Sequence, residues 1–590
     1  MDQTRENGTF ENTSKSFNLK LELRAIGIGA ALTSLLVFFI FQLWGLHPRI
    51  PVIYSGDALS TLAALRNMRF GNWYWSTDKL GAPFGQDLHD IAAVADNLHL
   101  IILWIGIKVF RNEFLVFNAY FFGSYLLTTT TGYVGSRMLH VQRAPALLIG
   151  ITFSFLPYHY LQGPNHLFLA AYWAIPLWVA FLIRELMDDS VSPFTDQSLN
   201  FKSLRNWSRK TSTIALAIIA IIATTTGLYY GFFFIVLTSF IVLIRRVGQA
   251  TKFQWVPAAS ALAIGVFSLA IQYFPVWNYQ RIHGSNLSIV HRTIAEVEFY
   301  SLKLSNLLLP VAGHRLSFLD NLQQKSNPVY LIGEGSDALG LLGSIGFIGL
   351  ILIMVFRLVR HQSGLPTALA TFNIMSILTC IVGGLAQFIA VFGFTQLRVM
   401  ARMSIVIAFP CLVFAVHLIT KLLVRRGQAF VSIVLVFIGA ISILDTNPGN
   451  QLPSFKSTST KWAQDAALVR QIEAELGSNA MIFQLPVVPF PESPPVKQMV
   501  DYEHLRGYLH SSSFRWSYGG IKGRESDWQQ SLPADPTGLL LSLKQRGFNA
   551  IWIDKRGVSE VALDLLTSSV GTSLAELLVE DNDRLVYRIL

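Results

Sequence analysis

The chain has 590 residues, of which 52% are hydrophobic and only 14% are charged, whereas soluble domains average about 25% charged residues. Several apolar runs approach the roughly 20 residues needed to cross a bilayer, which excludes an ordinary soluble protein and predicts a polytopic α-helical membrane protein. The net charge of +10 does not indicate nucleic acid binding, because the basic residues cluster in short loops of the kind that stay in the cytoplasm.

The first predicted elements are a polar tail, one span and a long loop. Residues 1–23 are mixed in charge and lack the apolar core of a cleavable signal peptide, so we expect them to form a cytoplasmic tail. Residues 24–46 are predicted to form the first span. The loop at 47–97 follows, and its apolar residues between 58 and 70 recur on one face, which predicts a helix lying in the membrane interface.

Further apolar runs bring the predicted total to roughly 11 to 13 spans. Basic clusters flank the later runs, and placing these clusters in the cytoplasm leaves the loop at 273–335 and the C-terminus outside. Between the first loop and Pro157 three runs occur where the topology needs an even number of crossings, and the short run at 98–110 is the candidate for one that does not cross. The runs lie at 98–110, 113–133, 144–158, 168–184, 212–226, 228–244, 254–272, 336–356, 366–393, 402–420 and 429–445.

The composition changes at residue 447, where charged residues become denser and prolines cluster at 486–495. Two short apolar segments there read as strands and two longer ones as helices. The predicted fold class is therefore an α-helical polytopic membrane domain at 24–446 followed by a soluble α/β domain at 447–590, which the topology places in the periplasm. The predicted strands are 481–485 and 550–553, and the predicted helices are 461–476 and 536–546.

The main candidate for chemistry is Asp57, in the Ser55-Gly56-Asp57 sequence that follows the first span. Gly56 allows the backbone to bend, and a carboxylate at the lipid–water boundary can take the proton from an acceptor hydroxyl. The alternative is that Asp57 caps the N-terminus of the interfacial helix, a position that Asp favours. The two interpretations are compatible.

Asp87 and Asp90 are candidates for holding a divalent cation, because oxygen ligands at this spacing can share a helix face. No second carboxylate constellation accompanies them, and no Cys/His spacing typical of a metal site occurs. We favour solvated loop carboxylates as the interpretation of this pair.

His159 and His166 lie in a polar break between two apolar runs, and ionisable residues at membrane depth are candidates for function. Histidines in this position could contact a phosphate leaving group. The equally weighted alternative is interfacial anchoring, since Tyr158 and Tyr160 flank His159 as in an aromatic belt.

Two further groups of cations are candidates for binding a lipid-linked phosphate, because guanidinium groups match phosphate oxygens bidentately. The first group lies at 291–315, where a helical pairing between Arg292 and Glu296 is the alternative. The second is a pair of arginines four residues apart at the junction of two apolar runs, so that both would share one helix face near the outer leaflet. The candidates are Arg292, Glu296, His314, Arg315, Arg398 and Arg402.

Taken together, these motifs make the chain resemble the GT-C superfamily of polytopic glycosyltransferases. The resemblance rests on Gly56-Asp57 after the first span, on the break from Pro157 to His166, on the stretch from Leu307 to Arg315, and on a soluble domain outside the last span. It is similar to bacterial members that decorate envelope glycans.

The resemblance implies transfer of a sugar from a polyprenyl-phosphate carrier to a glycan or lipid acceptor on the outer face of the bacterial inner membrane. In such enzymes an acidic residue of the first external loop is the general base, and Asp57 matches that position. No cofactor is required by most monosaccharide-transferring members, whereas the oligosaccharyltransferase branch uses a divalent cation.

Two other classes of protein remain as alternatives. A flippase of lipid-linked glycans would carry charged groups near the midplane and often internal repeats, and the sequence shows no repeat. A non-catalytic protein of envelope-polymer assembly would use the C-terminal domain as a binding module. Sugar translocation without a glycan product would favour the flippase, and transfer by the membrane part after deletion of 447–590 would restrict the domain to recruitment.

Overall fold

The structure is a computed structural model, and it describes residues 18–91, 93–187, 202–247, 252–289, 292–326, 334–360, 364–448, 452–570 and 574–590. Residues 1–17 of the predicted cytoplasmic tail lie outside these ranges. The first described helix begins at Leu19, where Asn18 caps it by accepting a hydrogen bond from the backbone of Leu21.

The N-terminal three quarters of the chain are helical. The helices are α1 (Leu19–Ile40), α2 (Asp57–Arg69), α3 (Asn97–Phe110), α4 (Glu113–Met138), α5 (Arg143–Ser154), α6 (Pro157–Gln162), α7 (Leu167–Ala170), α8 (Ile175–Leu186), α9 (Lys202–Thr225), α10 (Leu228–Val247), α11 (Lys252–His283), α12 (Ile294–Phe299), α13 (Leu304–Leu308), α14 (Ser317–Ser326), α15 (Gly340–Arg360), α16 (Leu365–Cys380), α17 (Leu385–Val391), α18 (Ser404–Leu423) and α19 (Gln428–Thr446). Two two-residue strands, β1 (Ser76–Thr77) and β2 (Gln86–Asp87), pair within the first loop.

Within the described ranges, six helical segments are long and apolar enough to cross a membrane, and four shorter apolar helices accompany them. The predicted polytopic helical class is therefore confirmed. The six segments are Leu19–Ile40, Arg143–Gln162, Leu228–Val247, Trp255–His283, Met400–Leu423 and Gln428–Thr446; the four shorter ones are Asn97–Phe110, Ile214–Thr225, Gly340–Phe356 and Leu365–Cys380.

Several predicted runs differ from the helices that form. The run at 168–184 divides into α7 and α8, and the run at 366–393 divides into α16 and α17. The second break spans residues 381–384 and includes Gly383, whose φ of 76° is a left-handed conformation that favours glycine. The run at 98–110 becomes α3, whose 14 residues span about 21 Å, less than the ~30 Å hydrocarbon core. This length agrees with a segment that does not cross fully.

The polar break between α5 and α7 is held by close packing of α5 on α4. Gly150 of α5 lies so near α4 that an added Cβ would meet the backbone nitrogen of Tyr133 at 2.9 Å. Small residues let helix backbones approach in this way. This contact holds α5 in place, and the short helix α6 (Pro157–Gln162) lies in the break that follows it.

The C-terminal part contains both helices and a β-sheet, which confirms the predicted α/β class. A five-stranded sheet has the order β4-β3-β5-β7-β6, in which β3 runs parallel to β4 and β5 while β7 is antiparallel to β5 and β6. The elements are α20 (Phe455–Leu476), β3 (Met481–Leu485), α21 (Leu505–His510), β4 (Arg515–Trp516), α22 (Pro536–Gln545), β5 (Ala550–Asp554), α23 (Glu560–Val570), β6 (Ala575–Glu580) and β7 (Arg584–Ile589).

The first loop covers the β4 edge of this sheet. The backbone of Trp516 donates to the carbonyl of Lys79 at 2.9 Å, and the backbone of Ala82 donates to the carbonyl of Trp516 at 2.9 Å. A short strand with free backbone groups would otherwise be a site for edge-to-edge pairing. Because of these bonds, the first loop and the C-terminal domain pack as one unit above the membrane helices.

Candidate active site

Asp57 is the first residue of α2, and it does not serve as the helix cap. Gly56 occupies the N-cap position with a φ of 61°, a left-handed conformation that favours glycine. The capping bond comes from elsewhere in the chain, since the side-chain oxygen of Asn165 accepts from the backbone of Ala58 at 3.4 Å. The interpretation of Asp57 as an N-cap is therefore wrong, and its carboxylate is left for another partner.

That partner is His166. Its Nε2 lies 3.0 Å from Asp57 Oδ2, and the two side chains remain 39% and 52% exposed. The carboxylate is thus positioned by an imidazole on one side and open to solvent on the other. A negative charge in the first turn of α2 is also favoured by the helix dipole.

A buried ion pair continues from His166. Arg402 donates through Nε to Glu334 Oε2 at 3.1 Å and through Nη2 to Oε1, and Gln162 donates to the same Oε2 at 2.9 Å. Burial alone would raise the pKa of Glu334, but the hydrogen bonds and charge of Arg402 outweigh it, and the nearby His166 adds to the lowering. Asp57, His166, Glu334 and Arg402 are therefore four ionisable side chains that lie near one another.

Sequence reasoning missed three members of this arrangement. Gln162 and Asn165 lie in the same polar break as His166, so their polarity within an apolar region was the available signal. Glu334 lies 68 residues from Arg402, and no local spacing connects the two.

Arg398 and Arg402 do not share a helix face, in contrast to the prediction. Residues 394–399 are irregular, and Arg402 lies in a 3₁₀ turn, Met400–Met403, that leads into α18. The two side chains bind different carboxylates, since Arg398 Nη1 lies 2.6 Å from Glu296 Oε1. Both guanidinium groups lie over an aromatic ring, Arg402 at 4.4 Å from the ring centre of Tyr229 and Arg398 at 5.2 Å from that of Tyr300.

Arg292 and Glu296 also have different partners from the helical pair considered for them. The helix α12 begins at Ile294, and Glu296 closes a capping box with Thr293. Arg292 instead reaches into the C-terminal domain, where its Nη2 lies 2.7 Å from Glu492 Oε1.

His314 and Arg315 are held against the end of the last span. His314 accepts from the backbone of Leu316 through Nδ1 and donates through Nε2 to Asp445 at 3.2 Å. Arg315 donates to the carbonyl of Asn447 at 2.8 Å. These bonds connect both residues to the C-terminus of α19, and their binding of phosphate stays a prediction.

His159 is a packed core residue, so the prediction that it contacts substrate is wrong. The ring is fully buried, with Nδ1 donating to the carbonyl of Ser154 at 2.9 Å and Nε2 2.8 Å from Ser124 Oγ. It stacks on Tyr125 with ring centres 3.5 Å apart. Seven residues later, His166 has the exposure and the charged partner that His159 lacks.

Asp87 and Asp90 do not form a shared cation site. Asp87 lies 2.6 Å from Nδ1 of His89, whereas Asp90 holds Arg524 through two bonds of 2.6 and 2.7 Å and also accepts from Asn286. Burial would raise the pKa of Asp90, but the bonds from Arg524 and Asn286 lower it. In the part of the chain that the structure describes, no group of three His, Cys, Asp or Glu side chains could hold a metal ion.

The proline-rich loop of the C-terminal domain continues to Asp501, which lies near Asp57. Burial raises the pKa of Asp501 in this loop, and the neighbouring charges of Asp57 and Glu492 raise it further. A pocket beside Asp501 is lined by apolar residues of the loop and by the ring of Tyr518. The effect of Asp57 on the pKa of Asp501 indicates that this part of the C-terminal domain lies near Asp57.

No protein-family model and no curated protein matches the chain. Among solved structures, the chain is similar to ArnT from Cupriavidus metallidurans bound to undecaprenyl phosphate, with 12% identity, a TM-score of 0.49, and coverage of 97% of this chain and 98% of ArnT. It is also similar to the oligosaccharyltransferase of Archaeoglobus fulgidus in complex with Zn and sulfate, with 12% identity, a TM-score of 0.43, and coverage of 95% and 72%.

The same archaeal protein, AglB, is matched in complex with an inhibitory peptide and a dolichol-phosphate, with 12% identity, a TM-score of 0.42, and coverage of 90% of this chain and 69% of AglB. These similarities extend over nearly the whole chain. At such identities they concern the arrangement of the chain, and any activity has to be supported by the residues of the site.

Proposed function

We propose that the protein is a membrane glycosyltransferase that moves a sugar from a polyprenyl-phosphate carrier to a hydroxyl group of an envelope glycan or lipid on the periplasmic face. The observation that supports this proposal most directly is the half-exposed pair of Asp57 and His166, 3.0 Å apart, at the start of α2. A half-exposed carboxylate with an arginine nearby is an arrangement that suits sugar transfer from a phosphate.

In the proposed reaction Asp57 is the general base. The acceptor oxygen forms a bond to the anomeric carbon while its proton passes to Asp57, and the bond from that carbon to the phosphate oxygen breaks with its electron pair leaving on the phosphate. General base catalysis contributes about 10²–10⁴-fold to a rate. His166 holds one carboxylate oxygen, which leaves the other oriented toward the acceptor.

The departing phosphate would bind to the arginines of the site. Arg292, Arg398 and Arg402 each hold a carboxylate, and each guanidinium group has the geometry to hold two phosphate oxygens in its place. We expect the carrier phosphate to replace a glutamate on one of these arginines. Glu334 on Arg402 is the candidate, because it lies near His166, the partner of Asp57. Neutralising the phosphate makes it a better leaving group.

The reaction needs no cofactor in this form, and a divalent cation remains a prediction that removal by EDTA can test. Cation dependence would appear as loss of turnover in EDTA and its recovery on addition of Mg²⁺ or Mn²⁺. The acceptor would enter beside Asp501 and the apolar wall of the C-terminal loop.

The test uses the full-length protein in lipid nanodiscs with a panel of undecaprenyl-phosphate-linked sugars and an extract of envelope glycolipids as acceptors. Release of undecaprenyl phosphate is measured. Asp57→Asn is expected to lower kcat by about 10²–10³-fold, because it removes the base while keeping the shape. The matched control is Asp78→Asn, an exposed residue of the same loop, for which turnover should stay unchanged.

Undiminished turnover in Asp57→Asn would refute the assigned base. Movement of the labelled lipid across the membrane without cleavage of the sugar–phosphate bond would refute the transferase and favour a flippase.

A further inference from the structure

Side chains of the C-terminal domain bind Tyr54, which lies shortly before Asp57 in the sequence. Tyr54 precedes Asp57 by three positions, and it is buried against α20 and α21. Its hydroxyl group donates to Asp465 at 2.8 Å and lies 3.0 Å from Nε2 of His510. Its backbone carbonyl accepts from Arg506 at 3.1 Å.

Two of the three partners of Tyr54, Asp465 and Arg506, are themselves fixed by buried ion pairs. Asp465 is bound by Arg584 at 2.6 Å, and Arg506 is bound by Glu503 at 2.9 Å, with all four side chains almost fully buried. Arg506 also lies over the ring of Tyr54 at 4.9 Å. Since a buried charge without its partner is costly, these groups cannot move without losing several bonds together. Tyr54 is therefore attached to a rigid surface.

The connection from Tyr54 to Asp57 is too short to absorb a displacement. Three residues span at most about 10 Å, and Gly56 lies against the side chain of Asn165, where an added Cβ would be 3.2 Å from Oδ1. On the other side of Asp57, Asn165 accepts from the backbone of Ala58. The segment that carries Asp57 is thus held at two points, at Tyr54 by the C-terminal domain and at Ala58 by Asn165.

We infer that the C-terminal domain sets the position of the Asp57 carboxylate through Tyr54, with Asp465 and Arg506 as positioning residues. The inference rests on the proposed role of Asp57 as the base. It assigns the domain a part in the chemical step, beyond recruitment of an acceptor.

The test is a double-mutant cycle in nanodiscs with the undecaprenyl-phosphate sugar that gives turnover in the panel. Tyr54→Phe keeps the packed ring and removes the bond to Asp465, and a displaced base is expected to lower kcat by about 10–100-fold while KM for the donor changes less than about 2-fold. In the Asp57→Asn background, the same Tyr54→Phe change should leave the residual rate unaltered, because the base through which it acts is gone.

The control is Tyr172→Phe, which removes a buried hydroxyl bond of 2.7 Å to the carbonyl of Phe153 at a distance from these residues in the sequence. Tyr172→Phe should lower the thermal midpoint about as much as Tyr54→Phe does, and it should leave kcat unchanged. If Tyr54→Phe fails to fold, Arg506→Lys is used in the same cycle, since it keeps the charge and shortens the reach to the Tyr54 carbonyl.

The inference is overturned if Tyr54→Phe keeps full kcat, or if it lowers the rate by the same factor with and without the Asp57 carboxylate. These outcomes differ from failure of the proposed function, which would appear as full activity in Asp57→Asn alone. In that case the positioning role is overturned as well.

Discussion

Two groups of arginine–carboxylate pairs, those behind Tyr54 in the C-terminal domain and those of the candidate arginines, differ in how far water reaches them. In the C-terminal domain, the side chains of Arg584 and Asp465 are 5% and 3% exposed. In the site, those of Arg398 and Glu296 are 26% and 31% exposed, although the two pairs have the same N–O distance of 2.6 Å. Distance alone therefore does not separate a structural ion pair from one that can serve a ligand.

The difference in exposure indicates different roles. Removing one partner of a buried pair leaves an uncompensated charge, so the pair is costly to open and suits a fixed support. A partly exposed pair contributes little to stability and exchanges its partner at low cost. On this basis the buried pairs hold Tyr54. Under the proposed function, the glutamates keep the arginines of the site oriented until a phosphate replaces them. The Arg402–Glu334 pair, with side chains 11% and 19% exposed, lies between the two groups.

The largest expected effect that separates the two groups is on stability. Arg584→Met leaves Asp465 buried without its cation and is expected to lower the free energy of unfolding by about 3–5 kcal/mol. Arg398→Met, in the partly exposed pair, is expected to lower it by less than about 1 kcal/mol. Denaturation of the detergent-solubilised protein, followed by tryptophan fluorescence, measures both. Equal losses would remove the distinction between the groups.

The second expected effect is a gain in donor affinity. Glu334→Gln keeps the shape of the side chain that occupies Arg402 and removes the charge that competes with phosphate, so the affinity for undecaprenyl phosphate should rise about 10-fold, or about 1.4 kcal/mol. Equilibrium binding in nanodiscs measures it, with Glu576→Gln in the C-terminal sheet as the control. Weaker binding by Glu334→Gln would show that the glutamate supports the phosphate site instead of occupying it.

The third expected effect is a pH dependence of stability. It comes from His510, which lies beside Tyr54 among the buried pairs of the C-terminal domain. Burial, with the charges of Arg66 and other arginines, lowers the pKa of His510 to about 3. The unfolded chain, with an ordinary histidine pKa of about 6.5, binds the proton more tightly, so this contribution to stability is complete above pH 6.5 and is lost as the pH falls toward 3. The thermal midpoint should fall between pH 7.5 and pH 5.5.

The control for this effect is a matched pair of substitutions. His510→Gln should reduce the decrease in thermal midpoint, while His47→Gln, at an exposed residue, should leave it as in the unmodified protein. The same decrease in His510→Gln would assign the pH dependence to other groups.

The smallest effect is expected for the pair that joins Arg292 to the C-terminal loop. Because the side chain of Glu492 is 50% exposed, Glu492→Gln should change the free energy of unfolding by less than about 1 kcal/mol. Its effect on KM for the donor should stay below about 3-fold and should disappear at high salt, since exposed charges are screened. A large effect of Glu492→Gln on KM that persists at high salt would show that this pair behaves like the buried ion pairs.

Much of the architecture could be predicted because it depends on short stretches of sequence. The apolar runs were long enough to indicate membrane helices, and the strands at 481–485 and 550–553 were recognisable from their apolar, β-branched and aromatic residues. Asp57 and His166 were separate candidates in the sequence, and the structure brings them together, while their roles stay predictions. The breaks at 171–174 and 381–384 were not predicted, because both lie inside continuous apolar runs.

By itself, the sequence determined the membrane class, the C-terminal α/β domain and the position of Asp57 in the loop that follows the first span. These features follow from hydrophobicity and turn residues within some twenty positions along the chain. Only the tertiary structure decided that His159 packs in the core while His166 binds Asp57, and that Arg402 pairs with Glu334. The physical reason is that an ion pair depends on distance in space and on exposure to water, and residues far apart in sequence acquire both only when the helices and the domain pack together.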